Sequence, residues 1–433
     1  MSMNFDLVVP AIIEFLGGHT DAFEPPVHLV RRPNGRISVV VEKLIGSPES
    51  YRVFAEDLHQ MLERFSSGID TVLMETRDLI DREAIVSAPE RVKVPDTPWE
   101  TWLLDSLLTN QDWLKKSDWM PPVPTVVAYS IKGGVGRSLA LAVFARYLSG
   151  LGKRVALIDL DLEAPGITSL VDTELSDFGI TDWIVESLVD NAPDVFPETH
   201  FYRVAQISVG AGSVFCIPAW GRSSANYVAK LGRAYLTTMN EADNSITLGD
   251  RLKKLLSAIA ASSIKPDAFL IDARAGLHDL GSTVVTQLGA EVMLFTRDEP
   301  QSWMAYSRLF EHLRQSRQVI WGAQMSDLRS RMKMVAAQLD STVEALAKCT
   351  QASFETWLEF YDAETMDAVP DVSFTRDDAA APHFPTPIQY ADSLRGFPGW
   401  GRGVTVRDEI LELAFGDFCR VWAGRMGFQD DER

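Results

Sequence analysis

The chain has 433 residues, 46% hydrophobic and 23% charged, with 41 basic against 60 acidic side chains and a net charge of −19. That length buries a core without metals or disulfides and allows two or three domains. The acid excess excludes a protein that coats nucleic acid or an anionic membrane over its whole surface. Cys216, Cys349 and Cys419 lie far apart, which excludes a disulfide framework and fits a reducing cytosol. No stretch nears the roughly 20 apolar residues of a membrane helix, and the start lacks the order of a signal peptide. A cytoplasmic protein without membrane insertion is therefore expected.

In chain order, the runs 28–32 and 36–42 flank Pro33-Asn34-Gly35, and Asn-Gly between β-rich runs predicts a hairpin. Residues 49–65 repeat apolar side chains at helical spacing (Val53, Leu58, Met61, Leu62, Phe65), and 101–114 also read as helix. Trp99, Trp102, Trp113 and Trp119 read as packing residues rather than a binding stripe. These elements predict a small α+β domain over residues 1–120 without a chemical motif. It ends at Met120-Pro121-Pro122-Val123-Pro124, where proline favours extended backbone.

Over 121–433 the pattern changes to alternating strand and helix. Buried-strand runs are expected at 125–130, 154–161, 213–219, 268–274 and 291–297, with an Ala/Leu-rich helix at 139–151 closed by Gly152. That alternation predicts a mostly parallel sheet covered by helices on both faces. A last helix, 406–426, carries Ile410, Leu413, Phe415, Phe418, Val421 and Trp422. Its four acids against three arginines favour core packing over a membrane-surface role.

Between the first of these strands and its helix stands Lys132-Gly133-Gly134-Val135-Gly136-Arg137-Ser138. Glycines let backbone wrap a phosphate chain, and the N–H groups of a helix start point at the anion. The hydroxyl of Ser138 sits where Mg²⁺ would be ligated. The common pattern GxxxxGK[ST] is broken twice, by Ile131 and by Arg137. Asp159 and Asp161 alternate at the end of the second strand, so both can face the loop.

This loop resembles the deviant Walker A box of the ParA/MinD-type ATPases. The segment holding Asp159 and Asp161 resembles that family's switch I, and Asp272 to Gly276 its Walker B and switch II. With Ala381 to Ile388, the set is similar to an arginine-bearing bacterial subgroup. The resemblance covers about 126–297 and implies a P-loop NTPase fold, ATP and Mg²⁺ as cofactors, weak hydrolysis and a nucleotide-dependent homodimer. It implies that Lys132, Gly133, Gly134, Val135, Gly136, Arg137, Ser138 and Leu139 hold the nucleotide. Lys132 corresponds to the signature lysine that reaches the partner's nucleotide, and Asp161 to the group orienting the attacking water. Ser138, Asp159 and Asp272 would serve Mg²⁺, and Gly276 would offer its N–H to the γ-phosphate. Arg137 stands for the in-cis lysine; it keeps the charge but is larger and planar. A nucleotide-binding scaffold without hydrolysis is therefore the alternative reading.

Arg274 is either an extra phosphate contact or a salt-bridge partner of Asp272 or Asp279, and His278 reads as a surface histidine. Close cysteines, a tyrosine-rich tail and an NKxD-type element are missing, which argues against iron–sulfur, tyrosine-kinase and GTP chemistry. From Trp303 to Met334, Arg308, Arg314, Arg317, Arg329, Arg331 and Lys333 face only Glu311 and Asp327. That window reads as a solvated helix face or, in a third reading as a DNA-partition ATPase, as a surface for non-specific DNA. An unidentified protein partner is expected on the N-terminal domain.

Overall fold

A computed structural model describes residues 3–88, 91–107, 113, 115, 117–171, 174–191, 200–205, 207–239, 245–316, 324–361, 374–400 and 406–428. They fall into two compact units, one of Met1–Leu114 together with Ser316–Gly322 and one of Lys115–Gln315 together with Ala323–Arg433.

The first unit runs α1 (Val8–Gly17), β1 (Phe23–Arg31), β2 (Ile37–Leu44), α2 (Pro48–Leu62), β3 (Leu73–Glu75), α3 (Glu83–Val86), β4 (Val92–Lys93) and β5 (Thr101–Asp105). Its sheet has the order β3-β2-β1-β5-β4. β1 and β2 pair antiparallel across the Asn34-Gly35 turn, where Gly35 takes φ +82°. α2 starts at Ser47, whose hydroxyl accepts from Ser50 N while Ser50 Oγ caps Ser47 N. Ile12, Leu16, Phe54, Leu58 and Leu62 bury the helices against Val27, Leu29, Val39 and Val41. Trp99 joins this core, edge-on to Phe23 at 5.3 Å. The helix expected over 101–114 is not there: Thr101–Asp105 is a strand parallel to β1. A run of Trp-Leu-Leu fits either period, and pairing with β1 decided it. Of the rest, 108–112 and 114 lie outside the described residues.

The second unit continues with β6 (Thr125–Ser130), α4 (Arg137–Gly150), β7 (Arg154–Leu160), α5 (Ile167–Val171), α6 (Ile180–Glu186), β8 (Arg203–Val204) and β9 (Ser213–Ile217). Then come α7 (Tyr227–Ala234), the ribbon β10 (Thr238–Met239) and β11 (Ser245–Ile246), α8 (Leu248–Ala261), β12 (Ala268–Ala273), α9 (Asp279–Thr286) and β13 (Glu291–Thr296). The chain ends in α10 (Pro300–Ser316), α11 (Gln324–Arg331), β14 (Met332–Leu339), α12 (Val343–Tyr361), β15 (Thr386–Gln389) and α13 (Asp408–Arg425). Eight strands line up as β15-β14-β13-β6-β12-β7-β9-β8, all parallel except β8. All six residues of β6 and of β12 are buried, as in a sheet with helices on both faces. This is the mostly parallel P-loop NTPase architecture the sequence implied, with an added N-terminal unit.

α13 buries Leu411, Phe415, Phe418 and Trp422 at successive helical turns, with Phe418 edge-on to Phe144 of α4 at 5.9 Å. The helix is thus a core helix, but Leu413 and Val421, expected inside, lie on its exposed face. Among the described residues, no helix is long and apolar enough to cross a membrane.

Candidate functional site

β6 sits in mid-sheet between β13 and β12, so the loop leaving it opens at the carboxyl ends of the strands, where such sheets place ligands. Gly134 and Gly136 take φ +75° and +86°, a left-handed region costly for other residues. That path turns the chain straight into α4, whose first turn has no side-chain cap. Its free N–H groups therefore suit an anion. Val135 is buried and packs into the core.

Three carboxylates gather beneath the loop. Parallel pairing sets Asp272 of β12 beside Asp159 of β7. Both are almost wholly buried, at 1% and 0% exposure. Asp272 Oδ2 accepts from Ser138 Oγ at 2.5 Å, while Oδ1 is buried without a partner among the described residues. Asp159 Oδ2 accepts from Thr168 Oγ1 at 2.7 Å and from Thr168 N at 3.3 Å. Burial, and then the neighbouring Asp272, push Asp159 up to about 8, against the Thr168 bonds. Burial pushes Asp272 up to about 6, with Arg137 and Ser138 pulling the other way. Asp161, just past β7, accepts from Ala164 N at 3.2 Å, and its Oδ2 lies 3.8 Å from Arg137 Nη2. Burial raises it too, held back by the Ala164 bond and Arg137. The side chain of Arg137 is itself buried, and its Nη1 has no hydrogen-bond partner among the described residues.

Several expected contacts are made differently. Lys132 Nζ donates to Glu299 Oε2 of the same chain at 2.6 Å. Glu299 was not foreseen; its only sequence signal is a place just after β13. Gly276 takes φ +111°, and its N–H is given to Ser130 O at 3.0 Å, so it is not free for a phosphate in this conformation. Arg274 pairs with Glu163 in the loop after β7, an acid the sequence did not single out. His278 is a half-buried N-cap that accepts from Gly281 N at 3.3 Å. Burial and then Arg274 push it down to about 4, so it is a neutral cap rather than a surface group.

On its other flank the loop borders a cavity of about 670 Å³. Gly134, Gly136 and Leu139 form one wall; Gln338, Gln389, Tyr390 and Arg395 stand on the other. Gln338 has φ +55° at a register shift between β14 and β15, and its Nε2 donates to Gly134 O at 3.4 Å. Left-handed backbone in a glutamine costs energy and turns its amide to the loop. No sequence pattern marked this wall.

The basic window is not one surface. Arg329 is buried and donates to Phe360 O at 3.0 Å. Lys333 is buried at the start of β14, its Nζ giving 2.9 Å bonds to the carbonyls of Ala379 and Ala381. Arg308 pairs with Glu311 and Arg331 with Asp327. Arg317 lies outside the described residues. Charge counting assumes a solvated face, whereas in the fold Arg329, Arg331 and Lys333 all donate to backbone carbonyls.

Residues 126–348 match the model of the CobQ/CobB/MinD/ParA nucleotide-binding domain. No curated protein matches the chain. Among solved structures, the ParA of pNOB8 bound to nonspecific DNA is 14% identical, covering 70% of this chain and 97% of its own, at a TM-score of 0.41. The MinD cell division protein of Aquifex aeolicus is 17% identical, with 70% and 97% covered and a TM-score of 0.42. The ATP complex of a McdA variant from Cyanothece is 14% identical, with 72% and 98% covered and a TM-score of 0.40.

Proposed function

The chain belongs to the CobQ/CobB/MinD/ParA nucleotide-binding family, and from that premise we propose that it binds Mg·ATP, hydrolyses it slowly and uses it to switch a homodimer. One observation supports this above the others. Buried around the loop are an anion's atom and a cation's atom that each lack a partner among the described residues, Asp272 Oδ1 and Arg137 Nη1. Leaving such atoms unpaired is costly. A divalent cation beside Ser138 and Asp272 satisfies the first, and phosphate oxygens in the loop satisfy the second. When bound, Mg²⁺ supplies charge neutralisation of the phosphates.

In this reading Ser138, Asp159 and Asp272 hold the metal's surroundings. The loop from Gly133 to Leu139 holds the phosphates, and the neighbouring cavity takes the base and ribose. Asp161 orients water only after its carboxylate turns from Arg137, and Lys132 serves a partner's nucleotide only after leaving Glu299. Those two engagements also favour the second reading, a nucleotide-binding scaffold without turnover.

The test is a titration of a fluorescent ATP analogue with Mg²⁺, coupled to a phosphate-release assay. The wild type should bind saturably, and Gly136→Val should not, because a branched residue at φ +86° distorts the loop at a cost of roughly 1–3 kcal/mol. No binding at millimolar nucleotide refutes the proposal. Binding without phosphate release above background leaves the scaffold.

A further inference from the structure

Tyr129 is the last residue but one of β6 and is wholly buried. The neighbouring strands need only an apolar side chain there, so the phenol calls for an explanation. Its hydroxyl donates to Gly276 O at 3.0 Å, across 147 residues of chain. The next residue, Ser130, accepts Gly276 N–H at 3.0 Å through its own carbonyl. Two successive residues of the central strand thus grip both polar groups of one glycine. Burial pushes the Tyr129 phenol well above its ordinary range, so the hydroxyl keeps its proton and remains a donor.

The surroundings fit this grip. α9 approaches so closely that a Cβ on Gly281 would lie 3.0 Å from Tyr129 Cε2 and 3.1 Å from Gly276 O. The ring therefore packs in a slot that glycine leaves open. Ser130 Oγ in turn donates to Lys132 O at 2.7 Å, which ties the gripping strand end to the loop. Gly276, at φ +111°, has the backbone freedom to turn its peptide. Its single N–H proton reaches one acceptor at a time, so pointing it at a phosphate means leaving Ser130.

We propose that Tyr129 is a latch on the switch glycine: it holds Gly276 turned toward β6 and so weakens the site's preference for a third phosphate. It is a positioning residue, not one that touches nucleotide. The inference rests on the ATP reading above. The free energy needed to turn Gly276 is drawn from the γ-phosphate contact, which ADP does not make. Removing the hydroxyl lowers that cost for ATP alone.

The experiment compares wild type and Tyr129→Phe in competition titrations with ADP and with a non-hydrolysable ATP analogue, both with Mg²⁺. Phenylalanine keeps the ring in its slot. The expected result is an ATP-over-ADP preference raised about fivefold, the worth of one neutral hydrogen bond, with ADP affinity unchanged. A purely structural role would weaken both nucleotides alike. An unchanged or reduced ratio overturns the latch while leaving the ATP reading intact; a wild type that binds neither nucleotide overturns both. Hydrogen exchange gives a second measure without nucleotide. The Gly276 amide should exchange about fivefold faster in Tyr129→Phe than in wild type, since its local opening is made easier. Equal exchange in the two proteins also overturns the latch.

Discussion

Beneath the glycine loop, Asp159 and Asp272 are sealed from water and Asp161 lies against Arg137. Beside the same loop, Gln338, Gln389, Tyr390 and Arg395 line an open cavity. Both flanks meet the same glycine loop, yet they are built from different parts. The acid flank comes from the ends of β7 and β12, whose parallel pairing puts Asp159 and Asp272 side by side. The cavity flank comes from the end of β14 in left-handed backbone, from the end of β15 and from the chain after it. The buried carboxylates are held where strands fix them rigidly, while the glutamines, Tyr390 and Arg395 sit where backbone is less regular. If the acid flank serves metal and phosphate while the cavity serves the rest of the nucleotide, the two should fail in different ways.

The largest expected effect is that of Asp272→Asn. It keeps a side chain of the same shape for Ser138 but removes the charge. We expect ATP affinity in Mg²⁺ to fall about 10–100-fold, with little change in EDTA. Nucleotide titrations with and without the metal check this. An equal loss in both would mean that Asp272 only holds the loop, and the two flanks would not divide as described.

A smaller effect is expected from pH. The pKa of Asp159 is raised to about 8 and that of Asp272 to about 6, well above the carboxylate range of the unfolded chain. The folded state then holds more protons than the unfolded one between about pH 4 and 8. The stability these groups contribute is present at low pH and is lost as pH rises through 6 and then 8. Thermal melts of the protein without metal should therefore fall in midpoint from pH 5.5 to 8.5. Asp159→Asn should flatten that slope, whereas changes on the cavity flank should leave it. A wild-type midpoint that rises over this range would show that the acids are ionised and paired.

The smallest effect sharpens the other side. Gln338→Gly relieves the left-handed strain and should raise stability by roughly 1 kcal/mol. It also removes a long hydrogen bond to Gly134 O, so nucleotide affinity should fall by less than about tenfold. A melt and a titration on the same sample read both. A protein that is stabilised and binds better would mean that Gln338 has no part in holding the loop.

The same contrast explains what could be read from the sequence. The β6–loop–α4 unit and the acids after it follow from local rules: buried runs, glycines before a helix, and alternation along a strand. The β1–β2 hairpin was legible from Asn34-Gly35 for the same reason. Residues 101–105 were misjudged because Trp-Leu-Leu has no clear period and its partner strand lies 74 residues earlier. Lys132–Glu299 and Arg274–Glu163 are long-range pairs that no local pattern announces. In the basic window Arg329 and Lys333 were counted as solvated, because a sequence does not show which carbonyls a cation will meet. The faces of α13 were half right: its amphipathic stripe runs through Phe418 and Trp422 but skips Leu413 and Val421.

The edge at β15 has a consequence for the protein's behaviour in a crowded solution. An open sheet whose outer strand is long and regular invites a neighbour to add a strand and begin a fibre. Here the outer strand has four residues, and Pro387 within it lacks the N–H that such an addition would use. Should that strand peel away together with the chain before it, Lys333 loses the carbonyls of Ala379 and Ala381. The newly bared edge at β14 would then carry a lysine ammonium near its start, which repels an apolar strand. At the far end of the sheet β8 has only two residues. The sheet is thus guarded against self-templated growth at both ends, and on the β15 side the guard persists after the first layer is lost.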